Sequence, residues 1–516
     1  MSTQDNNANP IKTTWQSAVC YSGYFPISLL FITWLVVYGW RIFLLGFYTD
    51  DWTLYVEPQL TATWRNLLGP IREHADRPIY GFLRYLLLVI WDGSPWMLHL
   101  ICSLIMLGSS LCIYFSNYKI IRWFTDAADG PELRLSAGLS GVLWLIAPWG
   151  LGYSLWASGV VGVWCTIFWC ACAYFMIEYL EKTKLRYLLL SSAFLLLSYI
   201  TYQTYFGAWL VLILFILAKG VIKHNYPKAF ACAALFFMVQ IAVALFTFLR
   251  TPKHPLPLGC AVKIWVENII CLPGNLAQIV CDKERLILLI GLPCLLILAA
   301  LFIYKQYRLK KYGISIRFSL LCGIGIVISA LIYAMGSYNF VTIGPDSRVF
   351  QGVSFWLCLL ATLVFWVMLA PLNSSRHVNL LSISAIAILL TIFAFRNVIL
   401  SRDWITVWEI ENEILKNAPV ASFQNLNRPT AILLREPLHY KGHASFVGNW
   451  DLSSAMCVYY HRDKNISSSI KNIFFAPYSR YKDIISRKGP DAFSEIRVWD
   501  YNSGKVIDPS SDDFDL

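Results

Sequence analysis

Two adjacent carboxylates, Asp50 and Asp51, stand in the run Tyr48-Thr49-Asp50-Asp51-Trp52, directly after a long apolar stretch. Acids at the mouth of a membrane helix are costly unless they are solvated, paired or used. A carboxylate held there can take the proton of an attacking hydroxyl. The competing reading is local: Thr49 or Asp50 caps the helix that follows. Beyond the acids the chain passes Glu57-Pro58 and reaches Arg72-Glu73-His74-Ala75-Asp76-Arg77-Pro78. An apolar run from Ile79 to Trp91 follows, with Arg84 in its middle. That run is too short to span a bilayer and suits an interfacial or re-entrant helix. Residues 47–95 therefore read as a structured lid carrying acids and arginines.

Other residues could join such a site. Arg65, Arg72, Arg77 and Arg84 lie in this first loop, and Arg250, Lys253, Lys263, Lys283 and Arg285 lie in the stretch 250–285. Clustered cations suit an anionic ligand; salt bridges to nearby acids are the plain alternative. Tyr199, Thr201, Tyr202, Gln203, Thr204 and Tyr205 form an aromatic–amide cluster between two apolar runs. With Trp52, the residues Tyr202, Gln203 and Tyr205 are candidate sugar or lipid contacts, although an interfacial aromatic belt is the commoner role. Trp144, Pro148, Trp149, Tyr153 and Trp156 crowd a further turn. Near Ser337-Tyr338-Asn339, Arg348 either reaches a phosphate or pairs with Asp346. Cys260, Cys271, Cys281 and Cys457 allow a disulfide without assigning one, and the histidines (His74, His254, His439, His443, His461) make no metal set by spacing.

Composition says what must position these residues. Of 516 residues, 57% are apolar or aromatic and 14% are charged, with 21 Trp, 28 Tyr and 31 Phe. Soluble domains carry roughly 25% charged residues. A soluble enzyme, a disordered chain and a coiled coil are excluded; the chain is an α-helical polytopic membrane protein. Its net charge of +11 is explained by loops and lipid head groups rather than by nucleic acid. Stretches of about 20 apolar residues fall near 24–46, 96–116, 135–150, 157–177, 186–201, 203–219, 229–249, 286–304, 318–336, 349–370 and 379–400, giving about 11 transmembrane helices. The stretches 135–150 and 186–219 read equally as a short or broken helix and one long bent one.

Alternate loops are basic, as at Lys119, Arg122 and Arg134, at Lys182, Lys184 and Arg186, at Lys219, Lys223 and Lys228, and from Lys305 to Arg317. The positive-inside rule makes that side cytoplasmic, together with the N-terminal segment 1–23. An odd number of spans then places 401–516 outside. That segment is polar: Trp404 to Lys416 reads as a helix, Ala431 to Leu434 as a strand, and Glu495 to Ile507 as a hairpin turning at Asn502-Ser503-Gly504. The domains are therefore 24–400, a transmembrane region, and 401–516, a small extramembrane α/β domain.

One long span, an outer loop opening with Asp-Asp and interfacial helices before the second span resemble the GT-C superfamily of membrane glycosyltransferases. The Asp-Asp followed by an Arg-Pro element resembles its O-antigen glucosyltransferase-like branch most. The resemblance covers roughly residues 20–400 in architecture and only a few residues in motif. It implies an inverting transfer of a sugar from a polyprenyl-phosphate-linked donor to a cell-envelope glycan or lipid, at the periplasmic face of a multi-pass inner membrane protein. Asp50 or Asp51 would be the base, and Arg77, Arg84, Lys283, Arg285 and Arg348 would be candidates for the donor phosphate. Some members of the superfamily need a divalent cation such as Mg or Mn; the carboxylates here are too few to insist on one. Membrane lipids are further expected partners, and nucleic acid is not. Two alternatives stay open: an O-antigen-type polymerase or ligase, whose key arginines would sit in large outer loops, and a lipid-linked glycan transporter. The scarcity of mid-membrane charge weighs against the last.

Overall fold

The computed structural model describes residues 24–48, 50–56, 68–91, 93–223, 226–250, 258–281, 285–310, 312–335, 338, 345–372, 375–419, 422, 430–435, 439–440, 443–444, 449–460, 473–477, 493, 495–501 and 503–507. Helix α1 (Phe25–Tyr38) opens the described chain. It buries Leu30, Trp34 and Val37 while Phe31, Ile32, Leu35 and Val36 stay exposed, as a helix with one face on a bundle and one on lipid must. The expected first span, 24–46, is helical over this shorter range alone. From Gly39 to Leu44 the chain continues in turns, with the amides of Arg41 and Ile42 both donating to the Tyr38 carbonyl.

The first outer loop holds a π-helical turn (Trp52–Val56), α2 (Gly69–Glu73) and α3 (Pro78–Ile90). In α3, Tyr80, Arg84, Leu87 and Leu88 are buried, while Phe82, Leu86, Val89 and Ile90 are exposed. Apolar on both faces and thirteen residues long, α3 has the build of the expected interfacial helix.

The bundle follows: α4 (Pro95–Thr125), α5 (Pro131–Ile146), α6 (Leu151–Ser154), α7 (Ala157–Lys182), α8 (Leu185–Thr201), α9 (Trp209–Lys223), α10 (Tyr226–Arg250), α11 (Leu258–Cys281), α12 (Arg285–Leu309), α13 (Tyr312–Met335), α14 (Gln351–Leu369) and α15 (Arg376–Lys416). Among the described residues six helices are long and apolar enough to cross a membrane, or up to eight if each of two bent pairs is one span. The pairs break by 55° ahead of Pro148 and by 118° at Tyr202. Proline lacks the amide that a continuing helix needs, and Tyr202 is extended, at φ −159° and ψ 133°. The chain is thus a helical membrane protein, with fewer spans marked out by length and composition than the eleven expected. Polar side chains tie the bundle together: the Asn117 amide donates to Ser140 Oγ and Thr362 Oγ1, each at 3.2 Å, joining α4, α5 and α14.

Two expectations need correction. The stretch 250–285, read as an outer loop, is largely α11. Its Trp265 indole donates to the Val327 carbonyl (2.9 Å) and its Asn268 amide to that of Tyr338 (3.0 Å). Nor does a helix boundary fall at residue 400. The helix α15 runs through it for 41 residues, because no Gly or Pro interrupts the segment.

The C-terminal segment folds as β1 (Thr430–Arg435), β2 (His439–Tyr440), β3 (His443–Ala444), α16 (Asn449–Tyr459), β4 (Ile473–Pro477), β5 (Glu495–Asp500) and β6 (Lys505–Ile507). The main sheet has the order β4-β1-β5-β6. In it β1 pairs in parallel with both neighbours, and β5 and β6 form the antiparallel hairpin read from the sequence. Gly504, at φ +66°, supplies the left-handed residue of that turn.

This small domain shares its core with the first outer loop. Trp52, Tyr80, Leu87, Trp91 and Leu98 form one apolar cluster with Ile414, Ile432, Leu452, Met456, Phe475 and Trp499. The Thr53 and Ser454 hydroxyls add a hydrogen bond at 3.1 Å across the contact.

Candidate active site

The acidic pair is positioned by a tight turn braced on α15. Gly46 lies so close to Trp408 that a β-carbon there would come within 1.7 Å of the indole. The Gly46 amide donates to the Tyr48 hydroxyl (3.3 Å), which donates in turn to the Trp404 carbonyl (3.1 Å). From the far side, His99 Nε2 shares a 2.6 Å hydrogen bond with the Gly46 carbonyl; because a carbonyl only accepts, this nitrogen carries the proton.

Within the turn the two acids differ. The Asp51 amide donates to the Tyr48 carbonyl (2.9 Å), and the Tyr48 amide donates back to Asp51 Oδ2 (3.2 Å). This reciprocal pair is the carboxylate half of a capping box, and Asp51 is fully buried. Asp50 stays half-buried, and its carbonyl accepts from the Leu54 amide at 2.8 Å. Trp52 is buried as well; its indole donates to Glu411 Oε2 on α15 at 3.3 Å, and its ring lies 5.9 Å from that of Trp408.

The arginines divide in the same way. Arg84 is 2% exposed. Its guanidinium donates twice to the Leu54 carbonyl (2.7 and 3.2 Å) and once to Glu73 Oε2 (3.1 Å). It also meets His74 Nε2 at 3.2 Å. An arginine has only donors, so this imidazole nitrogen accepts. Burial first, then the charges of Arg77 and Arg84, hold the His74 pKa down at about 4, and the ring is neutral at pH 7. Arg84 is thus a clasp between the acidic turn and α2.

Arg77 is more open. It pairs with Asp76 at 3.2 Å and sits 5.2 Å from the Tyr80 ring centre and 5.5 Å from that of Tyr202. Arg348 lies 4.6 Å over Trp156 and 5.6 Å from Tyr338. The Tyr80 hydroxyl is within electrostatic reach of Arg77, Arg84, Tyr202 and Arg348. The fold therefore brings three of the five arginine and lysine candidates together around Tyr80. It also sets the His74, Tyr80 and Tyr202 rings in file, at 4.7 and 6.4 Å.

The remaining candidates fall elsewhere. Lys283 and the Arg285 side chain lie outside the described residues. Tyr205 is buried in the bundle, stacked on Trp169 at 5.0 Å and bonded to Thr166 Oγ1 at 2.9 Å. Gln203 opens the single turn after Tyr202 and is partly exposed. Lys263 lies 4.0 Å from Glu267 one turn along α11. Cys260, Cys271 and Cys457 are free thiols. Among the described residues no group of three or more His, Cys, Asp or Glu side chains is gathered to hold a metal.

Sequence reasoning missed Glu411, His99 and Arg41, all buried. Arg41 donates to Asn397 Oδ1 (2.9 Å) and Ser401 on α15 and lies 3.9 Å over the Tyr38 ring. A lone charge at the end of an apolar run, as in Trp40-Arg41, was the available signal. The chain matches no protein-family model and no curated protein.

Proposed function

We propose that the protein is an inverting glycosyltransferase, moving a sugar from a polyprenyl-phosphate donor to a cell-envelope glycan or lipid at the extracytoplasmic face of the membrane. One observation carries the reading: a half-buried acid, Asp50, in a turn that its buried neighbour Asp51 holds and that Arg84 clasps at the Leu54 carbonyl. In this reading Asp50 is the base. It takes the proton of the acceptor hydroxyl as that oxygen attacks the anomeric carbon. The bond from that carbon to the phosphate oxygen breaks, and its electron pair leaves with the lipid phosphate. A single displacement inverts the anomeric centre. In this reading Arg77 and Arg348 meet the developing phosphate charge as fixed cations, and the partly exposed Tyr202 offers a ring face to sugar or isoprenoid. Arg84 and Asp51 position the turn.

The test is a mass-spectrometric profile of envelope glycans and lipid-linked sugars in cells lacking the gene. Complementation uses wild type, Asp50→Asn or Asp51→Asn. The reading expects one decoration to vanish with the gene, its donor to accumulate, and a well-folded Asp50→Asn to restore nothing. Loss of a whole glycan that both Asn variants restore would point instead to a polymerase or transporter.

A further inference from the structure

At the opposite end of the bundle from the acidic turn lies a second site. The helix α13 starts after Lys310 and runs toward Tyr338, which stands beside Arg348; its first residues are thus the far end. There α12 and α13 enclose a groove of about 640 Å³ lined by Phe302, Gln306, Ser315, Ser319, Gly323 and Val327. Ile316, Leu320 and Ile324 complete its wall and are exposed. Most of the lining is apolar, but one polar feature is out of place. Ser315 is 1% exposed and its hydroxyl has no hydrogen-bond partner. A buried hydroxyl left unpaired is costly, and Ser315 lines the groove together with the buried Gln306.

The two groove helices carry cations and no acids of their own. Arg308, Lys310 and Arg317 are exposed, and the sequence has no Asp or Glu between Glu284 and Asp346. Lys305 does not add to this group, being buried with its ammonium on the Met368 and Ala370 carbonyls at the end of α14. Ser315 to Val327 covers about 18 Å along the helix, close to the ~15 Å depth of one leaflet's hydrocarbon.

We propose that this groove holds one anionic glycerophospholipid. An acyl chain lies along Ser319, Gly323 and Val327; the ester oxygens meet Ser315 and Gln306; the head-group phosphate sits against Lys310 and Arg317. Basic pockets between helices are suited to such head groups. This site is independent of the transfer chemistry and stands or falls apart from it.

The full-length protein, purified in detergent, is mixed with equal amounts of dioleoylphosphatidylglycerol and dioleoylphosphatidylcholine, and retained lipid is read by native mass spectrometry. One phosphatidylglycerol is expected, preferred by about thirtyfold, the order that two surface cations supply. Gly323 has nothing within 4 Å of a built β-carbon, so Gly323→Phe fills the groove without a backbone clash. That variant is expected to retain neither lipid. The double variant Lys310→Gln/Arg317→Gln is expected to keep a lipid and lose the preference. Equal retention of both lipids by wild type overturns the proposal, as does a preference that survives both variants. If Gly323→Phe fails to fold, the wild-type comparison and the charge variant still decide.

Discussion

Asp50 and Asp51 are identical in type and adjacent in sequence, yet the turn gives them different work. Asp51 accepts a hydrogen bond from the Tyr48 amide and is sealed from solvent; Asp50 keeps partial exposure. Nothing in the letters Asp-Asp distinguishes them, because the difference lies in which carboxylate meets the backbone amide three residues back. His74 makes a sharper statement at this scale. Its pKa of about 4 lies below the ordinary 6.5, so on acidification the unfolded chain takes up a proton before the folded one does. Stability is therefore intact above about pH 6.5, falls between there and about pH 4, and flattens below. At ~1.4 kcal/mol per pKa unit the interval from 6.5 to about 4 is worth about 3.5 kcal/mol, which solvent screening at the partly exposed ring reduces to about 2–3 kcal/mol. Apparent melting temperatures from pH 7 to 4.5 are expected to fall further for wild type than for His74→Gln. Parallel curves would show that the ring stays uncharged for no energetic reason.

Among the elements, hydropathy marked the apolar spans and the short helix α3, and alternation with a Gly turn marked the β5–β6 hairpin. It failed where a helix is polar on one side. The α11 segment carries Lys263, Glu267 and Asn268 between apolar residues, which reads as loop until α13 is there to receive Trp265. The long helix α15 was cut at Ser401-Arg402-Asp403 because polarity changes there, and a change in polarity does not stop a helix. Gly46 against Trp408 is the contact that sets the acidic turn on α15. A methyl group at Gly46 forces the indole or the turn to move, and overpacking of this kind costs about 1–3 kcal/mol. Gly46→Ala is expected to lower the melting temperature and Gly46→Ala/Trp408→Ala to regain part of that loss relative to Trp408→Ala alone. Additive losses in that cycle would mean that the two residues do not press on one another.

For the whole molecule, the membrane region and the C-terminal domain were legible separately; their common core was not. Trp52 and Trp499 stand more than four hundred residues apart, and no local pattern announces that they share one cluster. The domain is thus part of the wall behind the candidate active site. A chain ending at residue 419, which keeps α15 entire, is expected to expose Trp52, Leu87 and Trp91. Amide exchange over residues 50–56 should then accelerate by an order of magnitude or more in detergent. Unchanged exchange would make the domain a passenger.

The 41-residue helix makes that wall mechanical as well. At 1.5 Å per residue it is a rod of about 62 Å, roughly twice the hydrocarbon thickness. It carries Ser401, Trp404, Trp408 and Glu411 in succession, gripping Arg41, Tyr48, Gly46 and Trp52. Helices answer a change in bilayer thickness by tilting. A 10° tilt swings a point ~24 Å along the rod through about 4 Å, more than the length of a hydrogen bond. Turnover in vesicles of graded acyl-chain length is accordingly expected to pass through an optimum, and a flat profile would show that the rod does not transmit tilt. An optimum would make the thickness of the surrounding lipid a control on the alignment of Asp50.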